Sequence, residues 1–193
     1  MSSERARLFA ALALPLEIRE MLVGWRRDAI AAEPALAQGQ PLRLIDREAL
    51  HVTLCFLGWQ SLGDTDSIGE ACATVAGTPA PELSLRGVLW LPPRHPRVLA
   101  VQLEDGSGLL ADIQARLSSA LTAGGWYRPD ARPFLAHVSL ARVATGARIG
   151  RLSLRDPPAT QFTGEEVVLF RSRLGPGAAR YEPLRTIVLR RAA

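Results

Sequence analysis

A five-residue pattern occurs twice in this chain: Leu50-His51-Val52-Thr53-Leu54 returns 86 residues later as Ala136-His137-Val138-Ser139-Leu140. Each copy alternates with the two-residue period of a half-buried strand, so His51 and Thr53 project to one face while Val52 and Leu54 pack on the other. His137 and Ser139 stand in the same way over Val138 and Leu140. Any fold open to the chain must therefore supply two strands, each apolar on one face and each presenting an imidazole beside a hydroxyl on the other. Two of the three histidines occupy these positions. A histidine alone on an apolar strand is ordinarily a hydrogen-bonded core residue; the repetition, with a hydroxyl each time, points to a shared chemical task.

Two imidazoles with ordinary pKa values near roughly 6.5 divide general-acid and general-base duties at neutral pH. Thr53 and Ser139 add uncharged donors for anionic oxygens, the equipment for a phosphoryl-type transition state without a covalent intermediate. Zinc is a weaker reading, because each motif offers a single ligand and no Asp, Glu or Cys stands where it would complete a tetrahedral set. No metal and no cofactor is expected. A serine hydrolase is disfavoured too, since Ser139 lies on a strand and not on a Gly-x-Ser-x-Gly turn. Cys55 shares the face of His51 in an ideal strand but sits about 13 Å along it, too far for a thiolate pair. His95, between Arg94 and Pro96 in a turn, reads as a surface residue.

Composition narrows the field further. With 193 residues, 48% of them hydrophobic, the chain buries a sizeable core and is expected to form one unit with two lobes. All 23 basic residues are arginine, which removes Schiff bases, Ser-Lys dyads and the P-loop lysine. From Arg142 to the end there are 10 arginines against 4 acidic residues, against 13 and 15 before it, so the last quarter is the basic one and favours anionic partners. Two cysteines are too few for a disulfide framework, and a reducing cytoplasm is expected. No apolar run has the roughly 18 residues of a membrane span. Arg5 and Arg7 before Leu8–Leu16 imitate a short signal peptide, but Glu4, Glu17 and the alternation of Leu8, Ala10, Leu12 and Leu14 read as a strand.

The remaining patterns give strands over residues 83–91, 98–103, 134–143, 167–174 and 184–189, beside the opening strand and one over 50–57 closed by Gly58. Helices are expected over 19–32, over 64–75 and from Leu109 to about Gly124. About seven strands and three helices make an α+β or α/β pattern.

These residues resemble the 2H phosphoesterases, named for paired His-x-Thr/Ser motifs, and within them the bacterial RNA 2′,3′-cyclic phosphodiesterases, also called 2′-5′ RNA ligases. Arg7-Leu8-Phe9-Ala10-Ala11-Leu12 is similar to the family's opening strand. Residues 50–58 are similar to its first motif, 137–142 to its second, and Leu169 to Leu174 with Gly177 and Tyr181 to its C-terminal signature. Leu44, Ala49 and Ala136 depart from the Trp, Asn and Pro common at those places, which bears on the cleft entrance and not on the acid, base or hydroxyls. The resemblance implies a bilobal α+β fold, two pseudo-symmetric antiparallel-sheet lobes with flanking helices around a central cleft. It implies that His137 acts as base and His51 as acid in opening a 2′,3′-cyclic phosphate to a 2′-phosphate. Thr53 and Ser139 would hold the non-bridging oxygens, and the same site run in reverse would join RNA ends.

Two further residues are candidates for substrate contact. Arg142 alternates to the face opposite His137, and a twist at the strand end would bring it to the phosphate. Phe134 would stack on a base at the cleft edge, with core packing as the competing reading. The expected partner is an RNA end or nucleotide carrying a 2′,3′-cyclic phosphate, handled by a monomer. A phosphodiesterase of small cyclic nucleotides and a non-catalytic nucleotide- or RNA-binding module are the alternatives.

Overall fold

Ala6, Leu8, Phe9, Ala10, Ala11 and Leu12 are all nearly inaccessible, so the opening strand is buried on both faces and must lie inside a sheet. The computed structural model describes residues 4–38, 41–150, 152–173 and 180–191. The strands are β1 (Arg5–Ala13), β2 (Leu42–Leu44), β3 (His51–Ser61), β4 (Glu82–Leu91), β5 (Val98–Asp105), β6 (His137–Val143), β7 (Gln161–Thr163), β8 (Glu166–Arg173) and β9 (Arg180–Val188). The helices are α1 (Leu16–Ala31), the single turn α2 (Pro34–Ala37), α3 (Thr65–Ala73) and α4 (Leu109–Ala123). This is an α+β fold with two more strands than the periodicity predicts. β2 and β7 have three residues each, too few for an alternation to register.

The strands are ordered β7-β4-β5-β6-β3-β1-β8-β9, with β2 also on β6. Two half-sheets are visible in that order. One runs outward from β3 through β1 and β8 to β9, the other from β6 through β5 and β4 to β7, and they meet at a single residue pair, Val52 with Val138. Each half repeats the chain order strand, helix, motif strand: β1, α1, β3 in one and β5, α4, β6 in the other. The helices cross over: α1 packs on β6, and α4 packs on β3 and β5. Val52, Leu54, Val138 and Leu140 belong to the core beneath these helices, together with Leu22, Ile113 and Leu117.

Two expectations fail for reasons that can be named. β3 continues past Gly58 because that residue takes a φ of +70° at a register shift, where Leu57 has no partner on β1. β9 begins before Pro183, which is tolerated because β9 is the sheet's edge and needs no inward N–H there. Leu174 and Gly177 lie outside the described residues.

A second pair of irregularities matters more. In β3, Thr53 faces Ala11 and Cys55 faces Ala10, so Leu54 is an extra residue. In β6, Ser139 faces Ala100 and Ala141 faces Leu99, so Leu140 is the extra residue. Both motifs therefore end in a β-bulge at the same position, and each bulge reverses the alternation beyond it. The carbonyl of Leu140 accepts from Ile45 N–H and from Nη1 of Arg26, a residue of α1 only 5% exposed. The same Nη1 donates to Ile45 O, both contacts measuring 2.6 Å.

Charge-assisted bonds to buried carbonyls contribute about 1.5–3 kcal/mol each, so Arg26→Met is expected to lose about 3 kcal/mol or more. Arg27→Met, which removes only the exposed pair with Asp28, is expected to change stability by less than about 0.5 kcal/mol. Denaturant unfolding of the two variants checks this; equal losses would contradict the role given to Arg26.

Candidate active site

The antiparallel pairing at Val52–Val138 sets the two motif strands side by side and head to tail. With both valines fully buried, His51, Thr53, His137 and Ser139 all turn to the opposite face and remain half-buried there. The sense of the pairing brings His51 beside Ser139 and Thr53 beside His137.

Each imidazole is oriented by the same device. Nδ1 of His51 lies 2.8 Å from the carbonyl of Ala49, and Nδ1 of His137 lies 2.8 Å from the carbonyl of Leu135. A carbonyl only accepts, so both Nδ1 atoms carry the proton and both Nε2 atoms are left for chemistry. Nε2 of His51 is 3.0 Å from Oγ1 of Thr53, from which it accepts when neutral. The bonded carbonyl is two residues before the histidine in each motif.

The surroundings of the two rings differ. His51 is enclosed by Phe9 at 4.9 Å and Tyr181 at 5.3 Å between centroids, with Phe170 at 6.3 Å, and these three also pack on one another. Burial among them pushes the His51 pKa down to about 4, with the positive charges of His137 and Arg142 acting in the same direction and the Ala49 carbonyl opposing.

Arg142 emerges on the face of His137 and Ser139, contrary to the alternation of an ideal strand. The bulge at Leu140 turns its side chain outward, where it is exposed. The equivalent bulge at Leu54 turns Cys55 into the core at 1% exposure and brings out Phe56, 47% exposed, with Arg7 stacked 4.7 Å over its ring. Five residues after each histidine, then, one motif presents an aromatic ring and the other a guanidinium. Phe134 lies before β6 and packs, half-buried, against the main core. The rings around His51 are Phe9, Phe170 and Tyr181. Phe9, Phe170 and Tyr181 stand in segments matched to the family's signature but carry no polar marker of their own, and Phe56 was hidden by the bulge.

A family model described as the 2′-5′ RNA ligase superfamily matches residues 25–176. The chain belongs to that superfamily. A member from Escherichia coli (strain K12), named RNA 2′,3′-cyclic phosphodiesterase, is 29% identical over 192 residues, covering 95% of this chain and 96% of its own. One of the same name from Aeropyrum pernix is 35% identical over 123 residues, a match spanning 63% of this chain and 65% of that protein. Among solved superfamily folds, Escherichia coli LigT in apo form superposes with a TM-score of 0.79 at 27% identity, covering 97% of this chain and 99% of that one. TT0787 of Thermus thermophilus gives 0.74 at 26%, covering 97% and 100%. LigT has also been crystallised with 3′-AMP.

The depressed pKa of His51 has a consequence for stability. Between the unfolded value near 6.5 and the folded value of about 4, the unfolded chain binds a proton that the folded chain refuses. The His51 contribution is therefore complete above pH 6.5 and is lost as pH falls through 4, to the extent of about 3 kcal/mol. Urea unfolding at pH 7.5 and 4.5 checks this, with the pH dependence expected to shrink by that amount in His51→Gln. An unchanged dependence would contradict the enclosure of the ring.

Proposed function

We propose that this chain opens 2′,3′-cyclic phosphates at RNA ends to 2′-phosphates by two-histidine acid–base catalysis. The carrying observation is the matched pair of Nδ1–H bonds, which leaves two Nε2 atoms on one face of strands locked together at Val52–Val138. In this reading His137 Nε2 takes a proton from water as its oxygen bonds to phosphorus. The bond from phosphorus to O3′ breaks, and His51 Nε2–H supplies the proton to the departing oxygen. Thr53 and Ser139 donate to the non-bridging oxygens, and the fixed charge of Arg142 favours the added negative charge of the transition state. Phe56 offers an exposed ring on which the terminal base stacks. A 5′-hydroxyl attacking in place of water forms a 2′-5′ linkage by the same proton transfers.

The acid must be protonated, and burial disfavours that form of His51. A bound phosphodiester supplies the opposite charge beside Nε2 and raises the pKa again, so substrate binding charges its own acid. No metal enters this reading: among the described residues no three His, Cys, Asp or Glu side chains gather as a ligand set. The site draws both histidines from one chain, which supports a monomer as the working unit. Cys55 and Cys72 are free and buried, which suits a reducing cytoplasm, and no helix among the described residues is long and apolar enough to cross a membrane.

On a nucleoside 2′,3′-cyclic phosphate, His51→Ala and His137→Ala are each expected to lose at least about 100-fold in kcat, with wild-type turnover surviving a chelator. In His51→Gln the residual rate should rise with pH, because only the base remains. A residual rate that falls with pH would exchange the two roles, and wild-type turnover in both alanine variants would end the proposal.

A further inference from the structure

Beyond the Arg142 end of β6, a cavity of about 490 Å³ is lined by Arg94, His95, Pro96, Arg97, Ala147, Arg148, Ile149 and Gly150. Three arginines and a histidine are thus among the residues lining a hollow that no step of the chemistry uses. Ten other arginines have a carboxylate partner. Among the described residues Arg94, Arg97 and Arg148, like Arg43 and Arg142, have none, and all are exposed.

The hollow is built from anchored backbone. Val143 N–H donates to Arg97 O, which ties the β4–β5 connection to the end of β6, and Gly146, with φ +83°, turns the chain after it. The segment that carries Arg148 is pinned by Trp90 Nε1 donating to Leu152 O and Trp25 Nε1 donating to Asp156 O. Ile149 and Leu152 pack beside it on a small core of Leu36, Leu99, Ala141 and Leu154. Pro96 is buried and gives the hollow an apolar wall.

Its position joins it to the cleft. In the sheet Arg142 lies between Val98 on β5 and Arg43 on β2, and Val98 follows Arg97 directly. Arg43 and Arg142 are directly opposed and both exposed, a like-charge pairing that costs stability unless an anion lies over it. Arg142 and Arg43 are thus the basic residues that the sheet sets between the His137–Ser139 segment and the end of β6 where the hollow opens. A mononucleotide ends at the phosphate between the histidines. An oligonucleotide with its cyclic phosphate at the 3′ end continues away from it with one phosphate per residue.

We propose that this cavity binds backbone phosphates of the RNA preceding the cyclic end, so that the chain discriminates oligonucleotide from mononucleotide substrates. The inference rests on the reading of the cleft given above and adds the part of the substrate that the reaction itself does not touch. The arginines act here through charge and bidentate hydrogen bonding to phosphate and carry no base specificity.

The test compares a nucleoside 2′,3′-cyclic phosphate with a short oligoribonucleotide bearing the same end, in the wild type, in Arg148→Gln and in the triple variant Arg94→Ala/Arg97→Ala/Arg148→Ala. For the oligonucleotide, the triple variant should raise KM roughly tenfold with little change in kcat, and the slope of log(kcat/KM) against log salt should flatten by about 0.7 per lost contact. Arg148→Gln should move both in the same direction by less. Turnover of the mononucleotide should stay at the wild-type level, which also shows that the variants fold. Equal effects on the two substrates, or none on either, would overturn the inference. Affinity for a 2′-phosphorylated oligonucleotide, read by fluorescence anisotropy, keeps the two proposals apart: if the wild type turns over neither substrate, the catalytic reading fails while a loss of binding in the triple variant still supports the cavity.

Discussion

The pairing of Val52 with Val138 is the joint on which the molecule turns. Among the described residues the only other β pairing between the half that ends in β3 and the half that ends in β6 is an isolated bridge of Pro79 with Arg190, outside the named strands. Its two side chains are fully buried, and the residues on either side of them are the two histidines and the two hydroxyls. Sheet alternation converts that burial into function: whatever drives the valines inward drives the imidazoles outward, to the same side. α1 and α4 reinforce the joint by packing across it, each touching the motif strand of the other half.

Around that joint the two halves are alike in backbone and unlike in environment. Both histidines are held by the carbonyl two residues earlier, and both motifs close with a bulge. The differences are in what lies around the rings. Aromatic rings enclose His51 and hold its pKa near 4, whereas His137 has no such enclosure among the described residues. The bulge at Leu54 presents Phe56, and the bulge at Leu140 presents Arg142. Two alike backbones thereby present an aromatic ring and a guanidinium at equivalent positions. Arg26 holds the second bulge from below, linking a buried residue of α1 to the side on which Arg142 emerges.

Much of this was legible in the chain. Two alternating strands, each with a histidine and a hydroxyl on one face, follow from the period of two alone, and the match of residues 50–58 and 137–142 to a family carried the architecture. The bulges were not legible. A single extra residue leaves no mark in an alternating apolar run, and without it Arg142 and Cys55 exchange faces. The enclosure of His51 was equally hidden, because Phe9, Phe170 and Tyr181 come from three separate strands and meet only through register. β2, which carries Arg43 to the side of Arg142, was too short to read. His95 reads as an ordinary turn residue until the segment after β6 folds back to close a hollow against it.

The central claim is that two imidazoles flank one phosphorus atom. With three histidines in the chain, the ¹⁵N NMR spectrum of histidine-labelled protein is simple enough to follow each ring during titration with adenosine 2′-monophosphate. The account predicts protonated Nδ1 in both His51 and His137, and Nε2 signals of both moving along a single saturation curve while His95 stays fixed. A response from only one of the two, or Nδ1 unprotonated in either, would contradict it.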